Sequence, residues 1–251
     1  MWTFKAFFKK EFMESIRQYK FIMLAAGILV FALLDPIMLK LLPTILKNQL
    51  PADISSLLIT TQKTALQNYI KDLNQIGLLF IVFIFSGTLS DEINNQKLVF
   101  PYSKGASPEN IVLAKFLSYS ISVLIFTILG FLVNYYYVTI LFTNNIVTFS
   151  SLIPAITLVF VYFIFNIALT LFFSSLTKKG LIAGITTLAV NFLTIPLAGI
   201  KSISKFVPYN LINAANKFTF QDCSTSIIFA LAISILLIIF TIAKMFKVEV
   251  I

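Results

Sequence analysis

The 251-residue sequence contains no histidine. Imidazole ligation of a metal and histidine general-base catalysis are therefore excluded. It holds one cysteine, Cys223, so no disulfide can close within the chain. Charge is also scarce. Asp, Glu, Lys and Arg make up 12% of the residues, against about 25% in an ordinary soluble domain. So few charges cannot cover the surface of a soluble domain of this length. A Gly-x-x-x-x-Gly-Lys-Ser/Thr phosphate loop is missing, so no nucleotide cofactor is expected on this chain. Internal repeats and low-complexity tracts are missing as well.

What is present is apolar. Apolar residues account for 59% of the chain, about 148 residues. A bilayer span takes about 20 of them, which bounds the count at about seven spans. A soluble enzyme, a nucleic-acid-binding domain and a disordered chain are excluded on these grounds. The net charge is +9, from 19 Lys and Arg against 10 Asp and Glu. In a membrane chain that excess reads as topology, because basic residues collect on the cytoplasmic side near anionic headgroups. Nucleic acid is not implied. Membrane lipid is.

Residues 1–20 show no cleavable signal peptide, since Glu11, Phe12 and Met13 interrupt the basic residues and no short apolar run ends in a small-x-small site. They read as an amphipathic helix. Phe4, Phe8, Phe12, Ile16 and Tyr19 share one face, and Lys10, Glu14 and Arg17 lie opposite. Such a helix lies in the headgroup layer.

Six spans are expected beyond it, at about 21–40, 73–91, 110–136, 151–175, 181–199 and 226–244. Asp35-Pro36 reads as a cap and first helical residue, hence a kink or restart within the first run. Residues 41–72 read as an external segment with a helix capped by Asp53, and residues 200–225 as a second external segment broken by Pro208. The polar stretch 91–109 separates the second and third spans. Within it, Ser107-Pro108-Glu109 is a helix start signal. The expected fold is an all-α polytopic membrane protein with an N-terminal interfacial helix and a short coupling helix. With both termini inside, 12 basic residues fall on inner segments and 7 on outer ones, which favours cytoplasmic termini.

The segment 92–116 runs Glu-Ile-Asn-Asn-Gln-Lys-Leu-Val-Phe-Pro-Tyr-Ser-Lys-Gly-Ala-Ser-Pro-Glu-Asn-Ile-Val-Leu-Ala-Lys-Phe. It resembles the coupling region of bacterial ABC-2 type transporter permeases. Glu92 matches the acid that ends the second span in that family. Leu98 matches a Leu in the turn that follows, Lys104-Gly105-Ala106-Ser107 a Lys-Gly-x-Ser turn, and Lys115 an early Lys of the third span. Gln96-Lys97 stand where Gly-Thr is common, and Pro108 where Arg is common. The resemblance covers nearly the whole chain, through loose motifs in the expected order.

The resemblance implies a plasma-membrane exporter subunit. Two permeases, a second copy or a sister chain, would surround a path, and cytoplasmic ABC ATPase subunits carrying ATP and Mg would drive it. Asp91, Glu92, Gln96, Lys97, Lys104 and Ser107, with Lys10 and Arg17 of the N-terminal helix, become the ATPase-coupling candidates. The plain alternative for Asp91 and Glu92 is two solvated charges at a helix end.

Polar residues recur at helical spacing inside the spans: Tyr162, Asn166, Thr170 and Ser174 in the fourth, Thr187 and Asn191 in the fifth, and Asn134 in the third. They either line a substrate path or bond helix to helix, with small residues allowing close approach. Asn134, Tyr162, Asn166, Thr170, Thr187 and Asn191 are the path candidates.

The scarcity of intramembrane charge favours a hydrophobic or amphipathic cargo, such as a peptide toxin, over a small ion. Drug, lipid or Na+ export remains open, as does an ion-coupled secondary carrier. A carrier would need buried ionisable residues and usually repeats. Asp35 reads as the one acid at membrane depth. A membrane-embedded enzyme finds little catalytic material here.

Overall fold

Backbone groups in hydrocarbon must bond within their own segment, so a long apolar run resolves into a helix. The computed structural model describes residues 2–46, 61–200, 202–221 and 223–247, and every regular element among them is helical. The helices are α1 (Trp2–Arg17), α2 (Lys20–Leu46), α3 (Gln62–Asp72), α4 (Leu78–Asn94), α5 (Val99–Ser103), α6 (Pro108–Leu141), α7 (Leu152–Leu176), α8 (Gly180–Ala198), α9 (Asn210–Ala215) and α10 (Ser224–Phe246). A π-turn, Leu73–Gly77, joins α3 to α4 without a break. Six stretches are long and apolar enough to cross a membrane: Lys20–Pro43, Gln62–Asn94, Pro108–Leu141, Phe149–Leu176, Gly180–Ala198 and Ser224–Phe246. The chain is an all-α polytopic membrane protein.

The segment 41–72 divides. Residues up to Leu46 continue α2, and α3 opens the second long helix at Gln62. The helix expected at Asp53 lies outside the described residues. Thr61 caps α3 through a reciprocal box with Thr64. Gln62 is nevertheless buried, because its amide donates to the Phe142 carbonyl (2.7 Å) and accepts from the Val147 amide (3.0 Å). The segment 200–225 holds a 3₁₀ turn, Ser204–Phe206, and α9.

The spans alternate in direction. At one end the start of α2 meets the start of α6, with Lys20 Nζ 5.7 Å from the centre of the Tyr119 ring. At the other, Lys40 near the end of α2 donates to the Leu141 carbonyl at the end of α6 (3.0 Å). The first will be called the α1 end. α7 is the central helix, packing against α4, α6, α8, α9 and α10. It is buried nearly all round, with Leu158, Val159, Phe163, Ile167, Ala168 and Leu171 among its core residues. At the α1 end, α8 crosses α4 through glycines: a Cβ on Gly180 would stand 2.5 Å from Gly87 Cα. Backbones approach this closely only where side chains are absent.

One expectation is corrected. α2 does not restart at Asp35-Pro36. It runs continuously through Pro36 and Pro43. Pro36 has no N–H to offer the carbonyl four residues back, that of Ala32. The buried amide of Asn134 on α6 donates to that carbonyl instead (3.1 Å), so the helix continues past the proline. Asp35 is thus a residue of the helix interior, not a cap.

On α1 the side that meets the protein carries polar groups. Glu11 and Ser15 are buried, while Phe12, Ile16 and Tyr19 of the stripe are exposed. Lipid is a good solvent for that stripe, so it need not pack on protein. Buried charge joins α1 to the bundle, beside aromatic contacts such as Phe12 on Phe21 of α2 (centroids 5.1 Å apart). Tyr19 takes a left-handed backbone (φ 58°) between α1 and α2, which turns the chain sharply into the first span.

Candidate functional site

α1, α4 and α6 meet at the α1 end around two lysines and three glutamates. Lys115 lies seven residues into α6, on a buried face with Ser118, Tyr119 and Ser122. Its ammonium donates to Glu11 Oε1 (2.8 Å) and Glu92 Oε1 (3.0 Å). Lys10 reaches the same oxygen of Glu92 at 2.9 Å, and Glu11 and Glu14 at 3.3 Å each. Tyr119 donates its hydroxyl to the second oxygen of Glu11 (2.9 Å) and stacks its ring on Phe85 of α4, with centroids 4.1 Å apart. Lys115, Glu11 and Glu92 are 1%, 2% and 6% exposed. One ammonium from the third span therefore holds a carboxylate from the interfacial helix and another from the end of the second span.

Burial alone would push the Glu11 carboxyl up. The charges of Lys115 and Lys10, with donation from Lys115 and Tyr119, overcome it and bring the group down to about 2. Burial lowers Lys10, but Glu92, Glu11 and Glu14 outweigh it and raise the ammonium above its ordinary value. Both residues are therefore charged at neutral pH. Removing one partner of such a cluster leaves a buried charge uncompensated, at a cost of about 3–5 kcal/mol. A cavity of about 210 Å³ lies beside the cluster, and Glu14, Lys20, Asp91, Glu92 and Lys97 contribute to its wall. Glu92 Oε2 is buried there without a hydrogen-bond partner.

The coupling candidates fall in three places. Glu92 and Lys10 belong to the network. Asp91 and Lys97 are exposed beside it, on the cavity rim. Gln96, Lys104 and Ser107 belong to the α4–α6 connection. Gln96 takes a left-handed backbone (φ 54°), Lys104 sits over the Phe100 ring at 4.4 Å, and Ser107 caps α6 by accepting from the Asn110 amide. Gly105 (φ 78°) makes the turn between them. Arg17 closes the last turn of α1, where its charge suits the helix dipole. α5, within the same connection, exposes Val99 and Phe100.

The path candidates also separate. Tyr162 donates its hydroxyl to Asn191 Oδ1 (3.2 Å), joining α7 to α8. Both line a cavity of about 250 Å³ with Asn74, Gln75 and Tyr209. Asn166, Thr170 and Thr187 are fully buried and return a donor to the carbonyl four residues back. Ser174 accepts from the backbone amides of Leu89 and Ser90, tying α7 to α4. Asn134 serves the proline-bearing helix, as described above.

Sequence reasoning missed four participants. Glu11 and Tyr119 are in the network, and Asn74 and Asp72 are in the second span. Asp72 stands beside the carboxyl of Asp35, so the candidate spans hold two neighbouring acids, not one. The available signals were Lys115 within the apolar run Ile-Val-Leu-Ala-Lys-Phe-Leu and Glu11 directly after two lysines. Neither names its partner. Comparison with models of protein families, with curated proteins and with solved structures finds no match to the chain.

Proposed function

We propose that the chain is the transmembrane permease subunit of an ATP-driven ABC exporter. It would move a hydrophobic or amphipathic cargo, a peptide toxin by preference, out through a bacterial plasma membrane. The observation that carries this reading is the Glu11–Lys115–Glu92 cluster. It fastens an interfacial helix and the hairpin between the second and third spans to the same point of the bundle. A partner pressing on α1 or α5 from the α1 end would therefore move the spans, because sliding α1 free would break buried ion pairs. The basic bias supports a cytoplasmic α1 end. ATP and Mg would sit on partner ATPase subunits, and a second permease, identical or sister, would complete the path.

The test is co-expression with candidate ABC ATPases from the same genome, followed by affinity purification of this chain. The expected result is a stoichiometric complex that loses its ATPase when Val99 and Phe100 are replaced by Asp. A chain that stays ATPase-free and transports cargo alone would overturn the proposal.

One observation favours a second reading, an ion-coupled carrier. The Asp35–Asp72 pair places two carboxyls inside the spans, and intramembrane acids often serve proton or ion coupling. Proteoliposomes with an imposed proton gradient and no ATP separate the two readings. Gradient-driven uptake that is lost in Asp72→Asn supports the carrier.

A further inference from the structure

The cavity between the second, fourth and fifth spans is built unlike the rest of the bundle interior. The π-turn Leu73–Gly77 widens one turn of the second span and brings the adjacent amides of Asn74 and Gln75 to the wall. Single π-turns in otherwise α-helical segments occur often at functional sites. Tyr162 and Asn191 face them from α7 and α8, and Tyr209 closes the edge. All three walls are at mid-span. Asn74 is about 18 Å along its helix from Gln62, Tyr162 about 15 Å from Leu152, and Asn191 about 16 Å from Gly180, at 1.5 Å per residue.

No charged side chain among the described residues lines the cavity. The Asn74 amide oxygen is buried and has no hydrogen-bond partner. An orphan acceptor in an apolar setting is unfavourable, and a ligand that donates to it once the amide turns towards the cavity removes the penalty. The acceptor of Asn191 is already taken by Tyr162, whose hydroxyl oxygen can still accept. The remaining wall is apolar, and Leu79, Phe192 and Ile195 at its rim are exposed on the outside of the bundle. The volume, about 250 Å³, equals roughly eight waters at about 30 Å³ each.

We infer that this cavity is a binding site for an uncharged amphiphile with a hydrogen-bond donor, an amide N–H or hydroxyl on an apolar body, which enters sideways from the hydrocarbon. The inference deepens the export reading and rests on it only in taking the ligand as cargo. A charged head is rejected because nothing in the wall compensates it. A purely apolar tail gains no advantage, because it leaves Asn74 unpaired.

The test uses the full chain in lipid nanodiscs without any ATPase, so absence of binding and absence of an ATPase complex are separate results. Three probes are compared: N-dodecanoyl-phenylalaninamide, its fully N-methylated analogue, and the carboxylate N-dodecanoyl-phenylalanine. Saturable binding is read against empty nanodiscs. The amide is expected to bind at least tenfold tighter than either comparator. Asn74→Leu should abolish its advantage over the methylated probe, and Thr157→Val on the outer face of α7 should leave it intact. Should Asn74→Leu fold poorly, Leu188→Trp, which fills the cavity, should remove saturable binding of the amide. Equal binding of the three probes, or an undiminished advantage in a folded variant of either kind, overturns the inference.

Discussion

Asn134 and Pro36 are paired across two helices without touching by a bond of their own. The proline leaves the Ala32 carbonyl unserved, and the asparagine amide serves it from α6 at 3.1 Å. The arrangement explains how a span crosses the membrane through an internal proline. It also gives a polar side chain at mid-membrane a structural purpose.

The pairing makes a prediction that a double-mutant cycle can read. Asn134→Leu should cost about 1–2 kcal/mol, since it strands a buried carbonyl. In a Pro36→Ala background the backbone N–H gained at that position takes over, and the same substitution should cost close to nothing. The measurement is urea or SDS unfolding of the four proteins. Equal costs in both backgrounds would refute the assignment.

Lys115 holds two carboxylates that otherwise repel. Lys115→Met should destabilise the α1 end by about 3–5 kcal/mol and free α1 to proteolysis. Adding Glu92→Gln to Lys115→Met should restore part of that loss, because one unpaired charge disappears with it. Protease cleavage rates within residues 1–20 report both effects. A Lys115→Met protein whose α1 is as protected as before would count against the network as the fastening.

Acid should loosen the same joint. The folded Glu11 carboxyl titrates near 2, below its ordinary 4.5. Its stabilisation is therefore complete above pH 4.5 and is lost as the pH falls towards 2. The informative quantity is the difference between wild type and Glu11→Gln, which isolates this one carboxyl. We predict that the melting temperature of the wild type falls more steeply than that of the variant between pH 5 and pH 3. Parallel curves would argue against a charged, buried Glu11.

At the α4–α8 crossing, Gly180→Ala should destabilise by about 1–3 kcal/mol by overpacking. Its Cβ meets the backbone of Gly87, which cannot rotate away. Gly199→Ala, near the far end of the same helix, meets one backbone carbonyl at 3.2 Å and serves as the milder comparison. Thermal unfolding of the two variants should rank them in that order.

The spans were legible because hydropathy is a sum over some 20 neighbours and tolerates local error. The start of the second span was not. Gln62, Lys63, Gln67, Lys71 and Asp72 look external by composition, yet Gln62 is buried through backbone groups contributed some 80 positions away. Helical periodicity correctly grouped Tyr162, Asn166, Thr170 and Ser174 on one face. It could not tell a hydroxyl bonded to its own helix from one joining two helices. Glu92 and Lys10 stood out as charges near a membrane boundary. Their partners Glu11 and Lys115 are 104 residues apart, and no local pattern carries a pairing of that range. The aromatic stripe of α1 was read correctly as a stripe. Which side faced protein depended on where the buried carboxylate found its ammonium.

That outward stripe gives the bilayer a share in the joint. Phe12, Met13, Ile16 and Tyr19 keep apolar surface exposed, so a headgroup layer at this end would hold α1 from outside while Lys115 holds it from inside. Leaflet thickness and curvature then act as an adjustable spring on the ion network. Thin or short-chain surroundings pull the helix outward, and a well-matched leaflet seats it. The same purified chain should show a protected α1 in long-chain lipid and a cleavable one in short-chain detergent, with no change of sequence or pH.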